Sequence, residues 1–238
     1  MLMQIELGGI VLDIIKKDIK NIHLSVYPPT GRVRLAAPVR MNLDTIRLFA
    51  ISKLGWIRQQ QKTLRGQERD TEREYLDRES HYVWGRRYLL RLVEEHAAPS
   101  VELCHSKLVL RVRPGSDALT RGAVVAEWYR RMLKAAIPSL IEAWEPRLHV
   151  NVSGFFIQQM KTKWGSCNPA ASTIRLNTEL AKKPKECLEY IVLHEMVHLL
   201  EPKHGPRFLA LMDRFMPAWR DTRGLLNRLP ARHEQWNY

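Results

Sequence analysis

The chain of 238 residues is 45% apolar and 26% charged, which excludes a disordered protein and allows one large or two small folded domains. No apolar run approaches the roughly 18–20 residues that span a bilayer, and residues 1–6 lack the basic and apolar regions of a signal peptide, so we expect a cytoplasmic protein without a membrane segment. A net charge of +13, spread over both halves of the chain, favours anionic partners such as a nucleotide or nucleic acid, although a basic soluble surface also accounts for it.

The first part of the chain predicts a small β-rich module. Residues 3–40 alternate apolar and polar positions in short runs around a turn at 28–31, which is typical of strands. Residues 43–64 change to helical spacing and predict one long amphipathic helix. Polar residues 66–80 predict a connector, and the apolar runs at 82–93 and 108–112 predict further strands. We therefore predict an N-terminal module over residues 1–115, whose function the residues do not reveal.

The second predicted domain spans residues 116–238. Asp117 is placed to cap a helix whose apolar face continues to Trp144, with Pro138 expected to kink or restart it. Two strand-like runs, 155–160 and 173–177, then surround a polar loop, and we predict that they form a hairpin beside the next helix.

That loop contains Lys163, Trp164 and Ser166, which are candidate substrate contacts. An edge strand at this place could bind an extended peptide through its main chain. Turn geometry and packing explain the same residues equally well.

The next helix carries the pattern His194-Glu195-Met196-Val197-His198. Residues four apart lie on one helix face, so His194 and His198 can direct their rings at one metal ion, and Glu195 can reach a water bound to that ion. The helix is expected to begin near Pro184 and to end by Pro202. His204 follows this break and is the best candidate for the third ligand of a catalytic zinc site.

Two further residues have an expected place around the ion. Asp213, on a helix predicted for 206–216, could orient an imidazole through its second nitrogen. The odd number of cysteines argues against a disulfide framework or a cysteine-based zinc ribbon. Cys167 is expected to be a packed residue, with a contact to the ion as the alternative, and Cys187 to be a small buried residue.

The sequence resembles the YgjP-like metallopeptidase family, which is related to the SprT-like and Wss1-like zinc proteases. The motifs that carry the resemblance are Lys163-Trp164-Gly165-Ser166-Cys167, Ile174-Arg175-Leu176-Asn177, His194-Glu195-Met196-Val197-His198-Leu199 and His204-Gly205-Pro206-Arg207-Phe208. The resemblance implies an α+β fold in which the C-terminal part is a zincin-like metallohydrolase domain with an HExxH helix. It also implies that His194, His198 and His204 bind one Zn²⁺ ion and that Glu195 is the catalytic glutamate.

Three functions remain open at this point. The first is a zinc-dependent metallohydrolase, in particular a metallopeptidase that acts on polypeptides and uses Glu195 to activate a zinc-bound water. The second is a metal-dependent pyrophosphatase or phosphohydrolase of nucleoside triphosphates, because the basic chain would attract an anionic small molecule. The third is a non-enzymatic binding module with a structural zinc, which the presence of Glu195 disfavours.

Overall fold

The computed structural model describes residues 2–27, 30–66, 73–160 and 163–229. Within these ranges the chain forms three β-sheets and six α-helices, which confirms the mixed α+β class. The chain divides into two compact units, one within residues 1–71 and one over residues 72–229. Parts of the predicted connector and of the C-terminal tail, 67–72 and 230–238, lie outside the described residues.

The first unit is a four-stranded sheet with two helices. Its elements are β1 (Leu2–Leu7), β2 (Ile10–Lys17), β3 (His23–Tyr27), β4 (Arg32–Pro38), α1 (Leu43–Ser52) and α2 (Leu54–Gly66). The strand order is β1-β2-β4-β3, with β2 and β4 parallel and the other pairs antiparallel. Alternate residues of the strands, such as Val33 and Leu35, are buried with Ile46 and Ile57 of the helices in one core.

The first unit has a helix break and a buried aspartate that the sequence pattern did not predict. The single helix predicted for 43–64 is interrupted at Lys53, whose backbone N–H bonds to the carbonyl of Ala50 as the cap of α1. On β2, Asp13 is buried and accepts hydrogen bonds from Gln4 and Arg32. Burial raises the pKa of Asp13, but these two hydrogen bonds and the charge of Arg32 outweigh it and hold the pKa below 3.8.

The second unit begins with a sheet that was predicted to belong to the N-terminal module. The strands β5 (Ser80–Val83), β6 (Arg86–Glu94), β7 (Ser100–Cys104) and β8 (Lys107–Val112) lie in the order β5-β6-β8-β7. Their inward side chains, including Leu90 and Leu110, share one hydrophobic core with Trp128 and Leu133 of the following helix. The division near residue 71 therefore differs from the predicted boundary at 115/116, because this sheet has its core partner later in the chain.

The long helix α3 (Ala118–Leu148) supports that core. Asp117 caps it as predicted, since its side chain accepts a hydrogen bond from the backbone N–H of Thr120 at 2.8 Å. The helix continues through Pro138 without restarting. The Tyr129 hydroxyl donates to the carbonyl of Tyr82 at 2.7 Å, which ties the helix to β5.

A third sheet corrects the predicted hairpin. It contains β9 (Gly154–Gln158), β10 (Gly165–Asn168) and β11 (Thr173–Asn177) in the order β10-β11-β9. The two predicted runs, β9 and β11, pair in parallel, so they are not a hairpin. The antiparallel partner of β11 is β10, which lies in the segment that was predicted to be a polar loop.

Local polar contacts explain why this segment forms a strand. The Asn168 side chain accepts from the backbone N–H of Ala171 and caps the short 3₁₀ turn Pro169–Ala171, which reverses the chain between β10 and β11. The Asn177 amide donates to the carbonyls of Met160 and Lys163, both at 2.8 Å, and fixes the chain just before β10. Side-chain hydrogen bonds therefore place β10 at the edge of the sheet.

Three helices complete the second unit: α4 (Lys185–Val197), α5 (Pro206–Phe215) and α6 (Trp219–Arg228). The starts of α4 after Pro184 and of α5 after Gly205 agree with the predictions. Gly85 lies in the tight turn between β5 and β6 and has a φ of +79°. This turn contacts the chain just before α4, since a Cβ added to Gly85 would meet the Pro184 ring at 2.8 Å. None of the described helices is both long enough and apolar enough to cross a membrane.

Candidate metal centre and cleft

Three histidine rings converge at the C-terminal end of α4. His194 lies in the last turn of the helix, His198 is its C-cap residue, and His204 returns in the loop before α5. The Nε2 atom of His204 lies 3.0 Å from that of His194 and 3.1 Å from that of His198. The three residues predicted as metal ligands are therefore brought together at one point.

The spacing of these nitrogens suits a zinc ion. Three nitrogens of a tetrahedral site with Zn–N bonds of about 2.0–2.1 Å lie about 3.3 Å from one another. The two observed separations are close to this value, and one ligand atom from each of the three residues lies within 4.8 Å of the others. Histidine nitrogen is a preferred zinc ligand, so the donor set and its geometry both fit the predicted ion.

Burial favours the neutral form of His194 and His204, which is the form that binds metal. Burial, followed by the charges of the other two histidines, lowers the pKa of His194 to about 3. Burial and His198 likewise lower the pKa of His204. A neutral imidazole has a free lone pair for a metal ion, so the site favours ligation over protonation at neutral pH.

The second ring nitrogen of His198 has a hydrogen-bond partner, whereas that of His194 has none among the described residues. His198 Nδ1 lies 3.0 Å from the carbonyl oxygen of Glu201, and the Phe208 ring lies within 5 Å of all three imidazoles. His194 Nδ1 is buried and has no hydrogen-bond partner in the described part of the chain. Asp213, predicted to orient an imidazole, is hydrogen-bonded instead to Trp219 Nε1 at 2.7 Å and to Arg220, so that prediction is wrong.

Glu195 lies between this cluster and the edge strand β10. Its side chain is buried, and a Cβ added to Gly165 would lie 2.6 Å from Glu195 Oε1. Burial raises the pKa of Glu195 to about 8, against the opposing charge of Lys163. A cation held by the three histidines would favour the carboxylate form.

A cleft of about 500 Å³ opens above these groups. Its lining comes from α4, from β10 with the residues before it, and from α6. The lining residues include Lys163, Trp164, Gly165, Ser166, Cys167, Tyr190, His194, Glu195, His198, His204, Arg223, Leu226 and Asn227. The three predicted substrate contacts thus lie in the same cleft as the histidines, on the edge strand and directly before it.

Cys167 also lines the cleft but lies outside the group of potential ligands found among the described residues. Burial, with a smaller effect of the Glu195 charge, raises the pKa of its thiol to about 11. Cys187 is fully buried, as predicted. The Cys167 side chain packs against the hydrophobic core, which favours packing as its role.

Two of the cleft residues that sequence reasoning missed are Tyr190 and Arg223. Tyr190 precedes His194 by one helical turn, and its ring meets the His194 ring edge-on at a centroid distance of 5.8 Å. The spacing of four residues could have revealed it. Arg223 on α6 reaches the cleft only through the packing of α6 against α4, and no local pattern marks it.

A helix-borne His-Glu-x-x-His pair completed by a third histidine in a cleft is the arrangement of metallopeptidases. The chain belongs to the YgjP-like family: the family model described as "YgjP-like, metallopeptidase domain" matches residues 20–229. This match confirms the resemblance stated from the motifs.

Solved structures with partial similarity include two metallopeptidase zymogens. The zymogen of jannalysin from Methanocaldococcus jannaschii is 25% identical, with 38% of this chain and 92% of that chain covered and a TM-score of 0.34. The zymogen of abylysin from Pyrococcus abyssi is 19% identical, with 40% and 99% covered and a TM-score of 0.35. No curated protein matches the chain significantly.

Proposed function

We propose that the protein is a zinc-dependent metallopeptidase in which His194, His198 and His204 hold one Zn²⁺ ion and Glu195 is the general base. The observation that carries this proposal is the convergence of three Nε2 atoms, at separations of 3.0 and 3.1 Å, beside a buried carboxylate. When bound, zinc supplies a Lewis acid that polarises the scissile carbonyl and makes water more acidic.

Glu195 moves the proton in this reaction. Its carboxylate accepts a proton from the attacking water and then donates it to the leaving amine, so the same group serves both steps. Its burial between α4 and β10 excludes bulk water and holds the carboxylate at one place. Its position next to His194 in sequence keeps it within reach of the ion without ligating it.

The edge strand β10 positions the peptide. In the described sheet β10 pairs only with β11, so its other edge can accept an extended peptide through main-chain hydrogen bonds. Gly165 allows that backbone to lie against Glu195, and Trp164 and Ser166 border the cleft on either side of it. A peptide bound along β10 would therefore lie next to Glu195.

Hydrolysis of nucleoside triphosphates is a second candidate, and one observation favours it. Lys163 and Arg223 both line the cleft, and two cations there suit a phosphate as well as a carboxylate. We rank it second because β10 offers a main-chain binding edge that a nucleotide does not use.

The decisive experiment compares Glu195→Gln with Glu186→Gln, which makes the same change at an exposed position in the first turn of α4. Both variants and the native protein would be assayed, before and after chelation, against unfolded polypeptide and a panel of nucleotides. We expect one bound zinc in all three proteins and a loss of peptide cleavage of about 10²–10⁴-fold in Glu195→Gln alone.

Each other outcome selects a different function. Nucleotide hydrolysis that depends on Glu195, without peptide cleavage, would establish the second candidate instead. Full zinc occupancy with neither activity would indicate the non-enzymatic module. Equal peptide cleavage by both variants would refute the role of Glu195.

A further inference from the structure

Two of the elements that line the cleft each contribute a positive charge. Lys163 precedes β10, and Arg223 lies on α6. Within the described residues, neither side chain forms a hydrogen bond or an ion pair. The Arg223 guanidinium lies 6.0 Å from the centroid of the Trp219 ring. Both charges therefore remain available to a ligand.

A series of aromatic contacts links Arg223 to His194. Trp219, one turn earlier on α6, stacks on the Tyr190 ring at 6.3 Å with an interplanar angle of 10°, and Tyr190 packs edge-on against His194. The Trp219 indole is fixed in turn by its hydrogen bond to Asp213. Arg223 thus lies beside a series of aromatic contacts that ends at His194.

The neighbouring Arg220 provides a contrast within the same helix. Its guanidinium packs on the same Trp219 ring, at 4.5 Å, but is paired with Asp213 and does not line the cleft. Asp213 is therefore already occupied by Arg220. Helix α6 therefore carries Arg220, whose charge is paired, outside the cleft and Arg223, whose charge is not paired with an acidic group among the described residues, in its lining.

The chemistry of the free guanidinium indicates its ligand. Its planar donors match the two oxygens of a carboxylate, and such charge-assisted pairs are stronger than neutral hydrogen bonds. A peptide that lies along β10 would meet both charges, because Lys163 directly precedes that strand and Arg223 lines the same cleft as Glu195.

We propose that Arg223 is a specificity residue that binds a carboxylate of the peptide substrate beside the scissile bond, with Lys163 adding positive charge from the segment before β10. This inference rests on the proposed peptidase function and adds its substrate class: peptides that carry an acidic side chain or a free C-terminus near the cleaved bond. Both sources offer the same carboxylate group, and experiment can distinguish them.

The test compares Arg223→Gln with Arg220→Gln on a mixed peptide library, with cut sites read by mass spectrometry. We expect native protein and Arg220→Gln to cut next to acidic residues or near free C-termini. In Arg223→Gln the ratio of kcat/KM for acidic over matched amide peptides should fall about 10–100-fold. Arg223→Glu should shift the preference towards lysine, and amidated peptides should show whether the C-terminal carboxylate is the one bound.

A binding measurement separates this inference from the proposed function. Fluorescent peptides of equal length, with glutamate, with glutamine or with an amidated C-terminus, would be titrated into zinc-loaded Glu195→Gln protein, with and without Arg223→Gln. Weaker binding of the carboxylate peptides alone in the double variant supports the inference, even if no peptide is cleaved by the native protein.

Three results would overturn the inference. The first is an equal loss of cleavage for acidic, neutral and basic peptides in Arg223→Gln. The second is binding of carboxylate peptides that does not depend on Arg223. The third is Arg223-dependent binding of a nucleoside triphosphate without binding of any peptide, because the ligand would then be a phosphate.

Discussion

Replacing Gly165 with alanine should disable the enzyme while leaving its fold and metal intact. The added Cβ would lie 2.6 Å from Glu195 Oε1, 2.8 Å from its Cγ and 2.9 Å from its Cδ, whereas ordinary contact begins at 3.4 Å. The carboxylate must therefore retreat by about 0.8 Å, and it is buried. Since a displacement of about 1 Å at a reacting group can cost about 10²-fold in rate, we expect kcat to fall by about that factor.

The backbone itself should accept the alanine, because Gly165 lies in an extended strand and is not among the described glycines with positive φ. The assay measures kcat on unfolded polypeptide, zinc content and the thermal midpoint of Gly165→Ala. The matched control is Gly154→Ala on β9 of the same sheet, where the nearest atom to the new Cβ is Thr173 Cγ2 at 3.9 Å. Native kcat in Gly165→Ala, or an equal loss in both variants, would refute the reasoning.

Three further predictions concern the metal, the first unit and the thiols. His204→Ala should reduce bound zinc, measured by elemental analysis after gel filtration, well below one equivalent, because two ligands remain and the residue itself is exposed. Asp13→Asn should lower the free energy of unfolding of the first unit by about 1–3 kcal/mol above pH 4. The hydrogen bond and charge of Arg32 lower the pKa of Asp13, so the difference between variant and native protein should vanish as the pH falls through that lowered pKa. Iodoacetamide at pH 8 should label exposed Cys104 before Cys167, whose pKa is raised by burial, and equal rates by mass spectrometry would contradict this.

The cluster of three histidines was predictable because its geometry is local. His194 and His198 are four residues apart on one helix, and Pro202 and Gly205 delimit the loop that carries His204. The helix period and the chain breaks thus determine most of the relative placement of the three rings. Asp213 was misassigned for the opposite reason, since its partners Trp219 and Arg220 are decided by the packing between α5 and α6.

The shape of the cleft depends on contacts that no sequence window contains. Residues 165–168, Gly-Ser-Cys-Asn, have no apolar alternation, and they form a strand because Asn168 caps the following turn and Asn177 anchors the chain before it. The part of the cleft lined by α6 depends on the packing of α6 against α4, which brings Arg223 into the same cleft as histidines far from it in sequence. Local periodicity could therefore predict the proposed catalytic chemistry, whereas the residues proposed to select a substrate become visible only when β10 and α6 are both packed against the helix that carries His194 and His198.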